Sequence, residues 1–211
     1  QQVTGIATGF VDEGSDLGSS DVQYLKAPRV GMAFGSGTSS SATGEVWHWF
    51  DQVIDYPLTR FSADRFSSID LNEYDVLILP SAVSSMLSET GLEKLTAWIR
   101  DGGRLVAIGS GASALADKKG FSLTLKPAEK AADSTAISLA LNKRFEDRNR
   151  DRAPGSNPGA IYRVRVDNSH PLGFGFGDES FVLRSRSDHP AIMQGGSDWN
   201  VGVVQKNGRV S

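Results

Sequence analysis

Residues 92–115, LEKLTAWIRDGGRLVAIGSGASAL, decide the fold, because they read in turn as helix, stop, strand, sharp turn and helix. Four apolar residues recur at helical spacing and predict one buried helix face: Leu92, Leu95, Trp98 and Ile99. Ser88 is a candidate N-cap for this helix, and Gly102 and Gly103 predict its end. The continuous apolar run 105–108 predicts a strand buried on both faces, as in a parallel sheet.

A turn of small residues follows this strand: Gly109, Ser110, Gly111, Ala112 and Ser113. In open α/β sheets, ligands and nucleophiles lie at the carboxyl ends of the strands. The turn is therefore the first place to look for a functional group.

The surrounding chain alternates strands and helices. Strands are predicted at 29–34, 58–61, 74–79 and 121–125, and a helix is predicted at 44–55 with one apolar face: Val46, Trp49, Phe50 and Val53. This alternation predicts a parallel sheet with helices on both faces. Three loops of small residues, at Gly35, Ser81 and Gly109, are then expected to meet at one rim of the sheet.

The remaining segments have other patterns. Residues 1–27 read as a peripheral segment with one short strand near 3–10, and 28–126 as the α/β core. Residues 127–159 read as an insertion or mobile loop, with a helix at 134–145 and a mixed-charge run at 146–152. From 160 to 211 the pattern is strand and turn, with half-exposed alternation at 162–167 and a hairpin signal at Asn207-Gly208. Because the returning strand would barely have begun at Ser211, we expect the natural chain to continue.

Composition excludes several classes of function. The net charge of −3 argues against a nucleic-acid partner, which would need a basic face. The chain has no cysteine, which excludes a thiol nucleophile, disulfides and cysteine-ligated zinc. No apolar run approaches the roughly 20 residues that a membrane helix needs.

The order of motifs resembles a known family. It runs RVGMAFGSG (29–37), GEVWHWFD (44–51), YDVLILPSA (74–82), the 92–115 unit and HPLGFGF (170–176). This order resembles the class I glutamine amidotransferase-like domain found C-terminal to the catalytic domain in bacterial zinc carboxypeptidases of the carboxypeptidase A type. The resemblance implies an α/β, flavodoxin-like, three-layer sandwich with a mostly parallel sheet and a strand-rich C-terminal extension. In this resemblance Ser110 occupies the place of the family's cysteine.

Ser110 is the candidate nucleophile, and His170 or His189 is the candidate base. A serine on a strained strand-to-helix turn is activated when a histidine accepts its proton. The sequence departs from both relevant patterns, because Gly109-Ser110-Gly111 is not Gly-x-Ser-x-Gly and neither histidine begins a His-x-Glu. A close-packed turn without catalytic function is the other interpretation.

Other binding chemistry finds little support in the sequence. The loop Gly35-Ser36-Gly37 lacks the third glycine of a dinucleotide site and the Gly-Lys-Ser/Thr of a P-loop. His48 and Asp51 share helical spacing, but a catalytic zinc site takes three protein ligands, so no metal site is predicted. The candidate ligand-binding rim comprises Gly35, Ser36, Ser81, Gly109 and Gly111.

The functional expectation is a non-catalytic accessory domain of a zinc carboxypeptidase-like protein. The resemblance implies a secreted or periplasmic location, zinc only in the parent's catalytic domain, and a partner that is the peptidase domain or a peptide substrate. Trp47 is a candidate exposed anchor, and Phe174 and Phe176 fit close packing or an interface. The alternatives are a serine hydrolase or amidase that uses Ser110, and a small-molecule sensor that uses the rim.

Overall fold

The computed structural model describes residues 5, 7–22, 25–125, 159–184, 191, 193 and 200–210. The strands are β1 (Val30–Phe34), β2 (Leu58–Ser62), β3 (Val76–Leu79), β4 (Arg104–Ala107), β5 (Ala160–Val166), β6 (Glu179–Arg184) and β7 (Gly202–Arg209). The α-helices are α1 (Ser40–His48), α2 (Ser84–Leu87), α3 (Glu89–Arg100) and α4 (Ser110–Leu115). A π-helical turn (Trp49–Val53) continues α1, and short 3-10 helices occupy Ala63–Ser68, Leu71–Glu73 and Pro171–Gly173.

The first sheet has four parallel strands in the order β2-β1-β3-β4. Val30 of β1 pairs with Leu58 on one side and with Val76 on the other, so β1 lies inside the sheet. This order matches the first four strands of the flavodoxin-like arrangement, in which β1 and β3 flank the topological switch point. The predicted parallel α/β architecture is therefore confirmed.

Each face of this sheet is covered by helix, as predicted. On one face Leu77 and Leu79 pack with Leu95 and Trp98 of α3. On the other face a smaller cluster forms around Phe50 of the π-helical turn: Val30, Met32 and Ile78. Because side chains alternate along a strand, neighbouring residues of β3 feed opposite clusters.

The helix at the centre of the 92–115 unit is bounded as the sequence predicts. The Ser88 hydroxyl accepts a hydrogen bond from the Gly91 amide at 3.1 Å, which caps the start of α3. Gly102 ends the helix with a φ of 101°, a conformation that favours glycine. A Cβ on Gly103 would lie 2.2 Å from the indole of Trp98, so the chain turns directly against that ring.

The prediction that the 105–108 strand is buried on both faces is wrong. Val106 is 46% exposed and Ile108 is 43% exposed, whereas Leu105 and Ala107 pack against the larger core. Strand β4 is the last strand of the described sheet, and Val106 lies on the face where α1 covers β1 and β3 instead. Continuous apolar sequence therefore marks a strand here without two-sided burial.

The helix predicted at 44–55 begins earlier and changes type. It starts at Ser40 after the N-cap Ser39, and it ends in the π-helical turn, where the Ile54 amide donates to the Trp49 carbonyl at 3.1 Å. The wider turn breaks the 3.6-residue period on which the predicted apolar face depended. Trp49 is 51% exposed and Val53 is 62% exposed, so their predicted burial is wrong, and only Phe50 of that face is buried.

The second sheet is antiparallel, in the order β6-β5-β7. β5 shows the predicted half-exposed alternation, and it is the central strand rather than an edge. The hairpin predicted at Asn207-Gly208 is absent from the described structure, because β7 runs through it with an irregular register opposite Tyr162 and Val164.

Two further strand predictions also differ from the described structure. Only Leu125 of 121–125 forms a bridge, and residues 7–10 form no strand, while the rest of 3–10, apart from Gly5, lies outside the described residues. The helix predicted at 134–145 and the charged run at 146–152 also lie outside the described residues, so the boundaries 1–27, 28–126, 127–159 and 160–211 stay a prediction.

Candidate functional site

The carboxyl ends of β1, β3 and β4 meet at one rim, and two hydrogen bonds link their loops. The Ser39 amide donates to the Ser81 hydroxyl at 2.9 Å, which joins the loop after β1 to the loop after β3. The Ala82 amide donates to the Ser110 hydroxyl at 3.4 Å, which joins the loop after β3 to α4. The predicted gathering of the three loops is therefore confirmed, and the first bond crosses the β1/β3 switch point.

Ser81 is the buried serine of this rim, with 4% of its surface exposed. Its hydroxyl satisfies an amide that precedes α1 and has no partner within the helix. Ser39 accepts from the Ala42 amide at 3.3 Å and so caps α1 while its own amide is held by Ser81. Sequence reasoning missed Ser39, although a serine just before a helix is an N-cap signal.

The sharp turn between β4 and α4 is centred on Gly109. Its φ of 52° and ψ of −118° lie where residues with a side chain are strained. A Cβ built on Gly109 meets no atom within 4 Å, so the position faces open space. The residue with the strained backbone on this strand-to-helix turn therefore carries no side chain.

Ser110 follows as the first residue of α4, with ordinary helical backbone. Its partly exposed hydroxyl is turned to the neighbouring loop, where it accepts from Ala82. Gly111 lies directly against β3, because a Cβ there would be 2.6 Å from the Leu79 carbonyl oxygen and 3.3 Å from that of Ser81. The small residues of this turn thus let α4 begin in contact with the end of β3.

The histidines have the following places. His170 caps the 3-10 helix Pro171–Gly173, and its Nδ1 accepts from the Leu172 amide at 3.1 Å. His48 ends α1 and is exposed, while His189 lies outside the described residues. Among the described residues no imidazole is hydrogen-bonded to Ser110, and the pairing of Ser110 with His170 or His189 stays a prediction.

Charged groups with clearly shifted pKa values lie away from the rim. The hydrogen bonds from Arg29 hold the pKa of Asp75 well below its ordinary value, at the edge of the sheet where β1 and β3 begin. Hydrogen bonds from Ser169 lower the pKa of Asp167 beside the second sheet. Within the described part of the chain no three His, Cys, Asp or Glu residues group to hold a metal ion.

A cavity of about 890 Å³ lies against the second sheet rather than at the rim. Three of its polar lining residues are hydrogen-bonded: Asn168 donates to the Asp178 carboxylate at 2.7 Å, and Asp167 accepts from Ser169 at 2.6 Å. These three side chains therefore already have partners. None of the described helices is long and apolar enough to cross a membrane.

Comparison with known proteins gives a likeness of fold. No family model matches the chain, and no curated protein matches it. A solved structure of a Thermoplasma acidophilum protein, provisionally named as part of a GMP synthase, is similar at 16% identity with a TM-score of 0.46. The likeness covers 80% of this chain and 70% of that one. The assignment of the first sheet to the flavodoxin-like α/β class comes from its own parallel strand order, β2-β1-β3-β4.

Proposed function

We propose that this chain is a non-catalytic, amidotransferase-like accessory domain that binds or positions a partner domain or a peptide substrate. The observation that carries the proposal is Gly109, which holds the strained turn position and has no side chain to act as nucleophile. The bonds Ser39–Ser81 and Ala82–Ser110 support it further, because they use the rim's serine hydroxyls to join loops.

The parent in this proposal is a secreted or periplasmic zinc carboxypeptidase-like protein. The support is the order of motifs from 29 to 176, and the parent's zinc ligands would lie outside this chain. The test is to read the natural gene upstream of Gln1. A His-x-x-Glu followed by a later histidine supports this parent, and an upstream region without them contradicts it.

An exposed apolar loop supports a partner-binding role. Leu172 and Phe174 are 79% and 85% exposed, and Phe176 is also exposed. Contact of three large apolar side chains with water is unfavourable, and a protein surface that covers them would relieve it. We therefore assign this loop to the surface that meets the partner domain.

The direct test of catalysis is labelling with a fluorophosphonate probe, which forms a stable bond to an activated serine. We expect no mass adduct on the wild-type chain. The controls are Ser110→Ala and Ser113→Ala, since Ser113 lies one turn further along α4 and donates to the Gly109 carbonyl. An adduct that Ser110→Ala abolishes and Ser113→Ala retains would overturn the proposal and establish a serine hydrolase.

A further inference from the structure

A second site lies at the opposite end of β2 from the rim. A cavity of about 230 Å³ opens where the π-helical turn returns to the first residue of β2, Leu58. The residues that define its chemistry are three aromatic rings and two carboxylates: Trp47, Phe50, Tyr56, Asp51 and Asp55. Neither a rim residue nor a residue of the 172–176 loop lines this cavity, so it is independent of the proposed function.

The aromatic walls are held in place by their own contacts. Phe50 and Tyr56 meet edge to face, with ring centroids 6.4 Å apart. The Tyr56 hydroxyl donates to the Pro28 carbonyl at 2.6 Å, which fixes the orientation of its ring. Trp47 is 44% exposed; the Arg60 guanidinium lies over its ring, 4.7 Å from the centroid, so the chain's own cation already contacts this indole and the remaining exposed surface is what a ligand can reach. The rings are therefore positioned before any ligand arrives.

The two carboxylates differ in their partners. The Asp51 carboxylate accepts from the side-chain Nε2 of Gln52 at 2.5 Å. Asp55 makes no hydrogen bond or ion pair with any residue that the structure describes, and it has a positive φ of 47°. Asp55 therefore adds to the lining of the cavity a carboxylate that is not ion-paired with any described residue.

We propose that this cavity binds an organic ammonium ion, such as the alkylammonium head of a lysine side chain or a free quaternary amine. Aromatic faces attract cations through their quadrupole, and two carboxylates add direct charge attraction. The same carboxylates repel anions and make burial of a neutral apolar ligand costly. The cavity is smaller than the roughly 300–1,000 Å³ that drug-sized ligands occupy, and this favours a single cationic head group.

A metal ion is a poorer occupant of the same cavity. Divalent cations collect several oxygen or nitrogen ligands, and two carboxylates fall short of such a set. The described residues contain no group of three His, Cys, Asp or Glu residues here. The aromatic rings have no role in coordinating a metal ion, whereas they contribute directly to binding an ammonium ion.

The test is a titration followed by NMR of the indole groups of the intact chain. The Trp47 indole signal is assigned by its loss in Trp47→Phe. The probes are tetramethylammonium chloride, its neutral analogue neopentyl alcohol, and sodium chloride at matched ionic strength. We expect a saturable shift of the Trp47 signal with tetramethylammonium alone. An equal shift with the neutral alcohol or with sodium chloride, or no saturable shift, would overturn the proposal.

Charge variants separate the carboxylate contribution from folding. Asp55→Asn removes the charge, and asparagine accepts a positive φ, so the backbone is retained. We expect tetramethylammonium to bind about two- to fivefold more weakly, the range for an exposed charge pair. The matched control is Asp64→Asn, an exposed aspartate outside the cavity, which leaves binding unchanged. Equal affinity in the two variants contradicts the site.

Two further probes distinguish the sources of the cation. One is choline, and the other is an N-acetylated, C-amidated trimethyllysine. Tighter binding of the lysine derivative supports a peptide side chain as the occupant, and tighter binding of choline supports a free amine. Failure of both to shift the Trp47 signal overturns the assignment, and it leaves the proposed accessory function untouched.

Discussion

Gly109 and Ser110 differ in what a side chain at each position would meet. A Cβ at Gly109 projects into open space, whereas the Ser110 side chain bonds to the Ala82 amide. The backbone at Gly109 costs a residue with a side chain on the order of 1–3 kcal/mol. The most exposed position of this turn is thus held by Gly109, which has no side chain.

A pair of single-thiol variants tests this assignment. The chain has no cysteine, so Gly109→Cys and Ser110→Cys each introduce one thiol. We expect Gly109→Cys to lower the free energy of unfolding by about 1–3 kcal/mol and to react faster with a disulfide reagent. Faster reaction of Ser110→Cys would show that position 110 is the presented one.

The Arg29–Asp75 pair predicts a pH dependence. Arg29 donates to Asp75 from its backbone amide at 2.7 Å, and its guanidinium bonds to both carboxylate oxygens. These bonds lower the pKa of Asp75 in the folded state below its ordinary 3.8. The stabilisation is therefore complete above that value and is lost as the pH falls toward the folded pKa.

The measurement is the melting temperature of wild type and Asp75→Asn across acidic and neutral pH. We expect the wild type to be more stable near neutral pH, and the gap between the two curves to narrow progressively as the pH falls below about 4. Glu93→Gln, an exposed carboxylate on α3, is the control that should show no convergence. A gap between wild type and Asp75→Asn that is constant with pH would contradict the pair's role.

At the scale of single residues, the sequence predicts hydrogen bonds between near neighbours and misses those between residues far apart in the chain. The Ser88 cap depends on a residue three positions away, and the structure confirms it. The Ser39–Ser81 bond joins residues 42 positions apart, and nothing in either local sequence indicates it. The sequence shows that Gly109 belongs to a turn of small residues. That Gly109, rather than a neighbour, has the positive φ is seen only in the structure.

Among the elements, α4 begins in direct contact with the end of β3. Gly111 is the reason, because a Cβ there would enter the space of the Leu79 carbonyl. We expect Gly111→Ala to lower the free energy of unfolding by about 1–3 kcal/mol through overpacking. The matched control is Gly44→Ala in α1, where a Cβ meets nothing within 4 Å and stabilises the helix by about 0.5–1 kcal/mol. Chemical denaturation measures both, and equal effects would contradict this packing.

Lys94 of α3 joins its helix to the 3-10 helix Ala63–Ser68. Its ammonium donates to the carbonyls of Phe66 and Ser67 at 2.8 and 2.9 Å, and also to that of Ile69. Lys94→Met leaves these acceptors without their donor, and we expect a loss of about 1–3 kcal/mol. Lys118→Met, at an exposed position, is the control in the same denaturation assay. Similar losses in both variants would contradict the capping role.

Element types and their order could be predicted from the sequence, whereas burial could not. Strands β1 to β3 and helix α3 match the predicted segments within a few residues, because their apolar runs and stop signals are local. The exposure of Val106 depends on which helix covers which strand, and that is a property of the assembled sheet. The π-helical turn leaves Trp49 exposed, and its sequence contains no proline or glycine from which the turn could have been predicted.

At the scale of the described molecule, large apolar side chains lie both in the buried core and on the exposed loop 172–176. Phe66 is 1% exposed in the larger core, whereas Phe174 is 85% exposed. We expect Phe66→Ala to cost about 3–5 kcal/mol of stability and Phe174→Ser to cost less than about 0.5 kcal/mol. Thermal unfolding measures both. A large cost at Phe174 would mean that its ring packs within this chain rather than awaiting a partner.

The architecture could be predicted at this scale because alternating strands and helices leave few topologies. The three small-residue loops met at one rim, since the carboxyl ends of parallel strands lie at the same edge. The aromatic cavity was not predicted, because Trp47 and Tyr56 come together only where α1 returns to β2. Its sequence signal was limited to Trp47, a candidate exposed anchor.

The π-helical turn Trp49–Val53 also bears on how this chain should be aligned with others. Its hydrogen bond spans five residues rather than four, so the turn holds one residue more than an α-helix of the same rise. That extra residue is absorbed between α1 and β2 without disturbing the register of Leu58 with Val30. A related chain with an ordinary helix here would differ by a one-residue gap between 49 and 53. An alignment that places the gap elsewhere would shift Asp55 and Tyr56 out of correspondence.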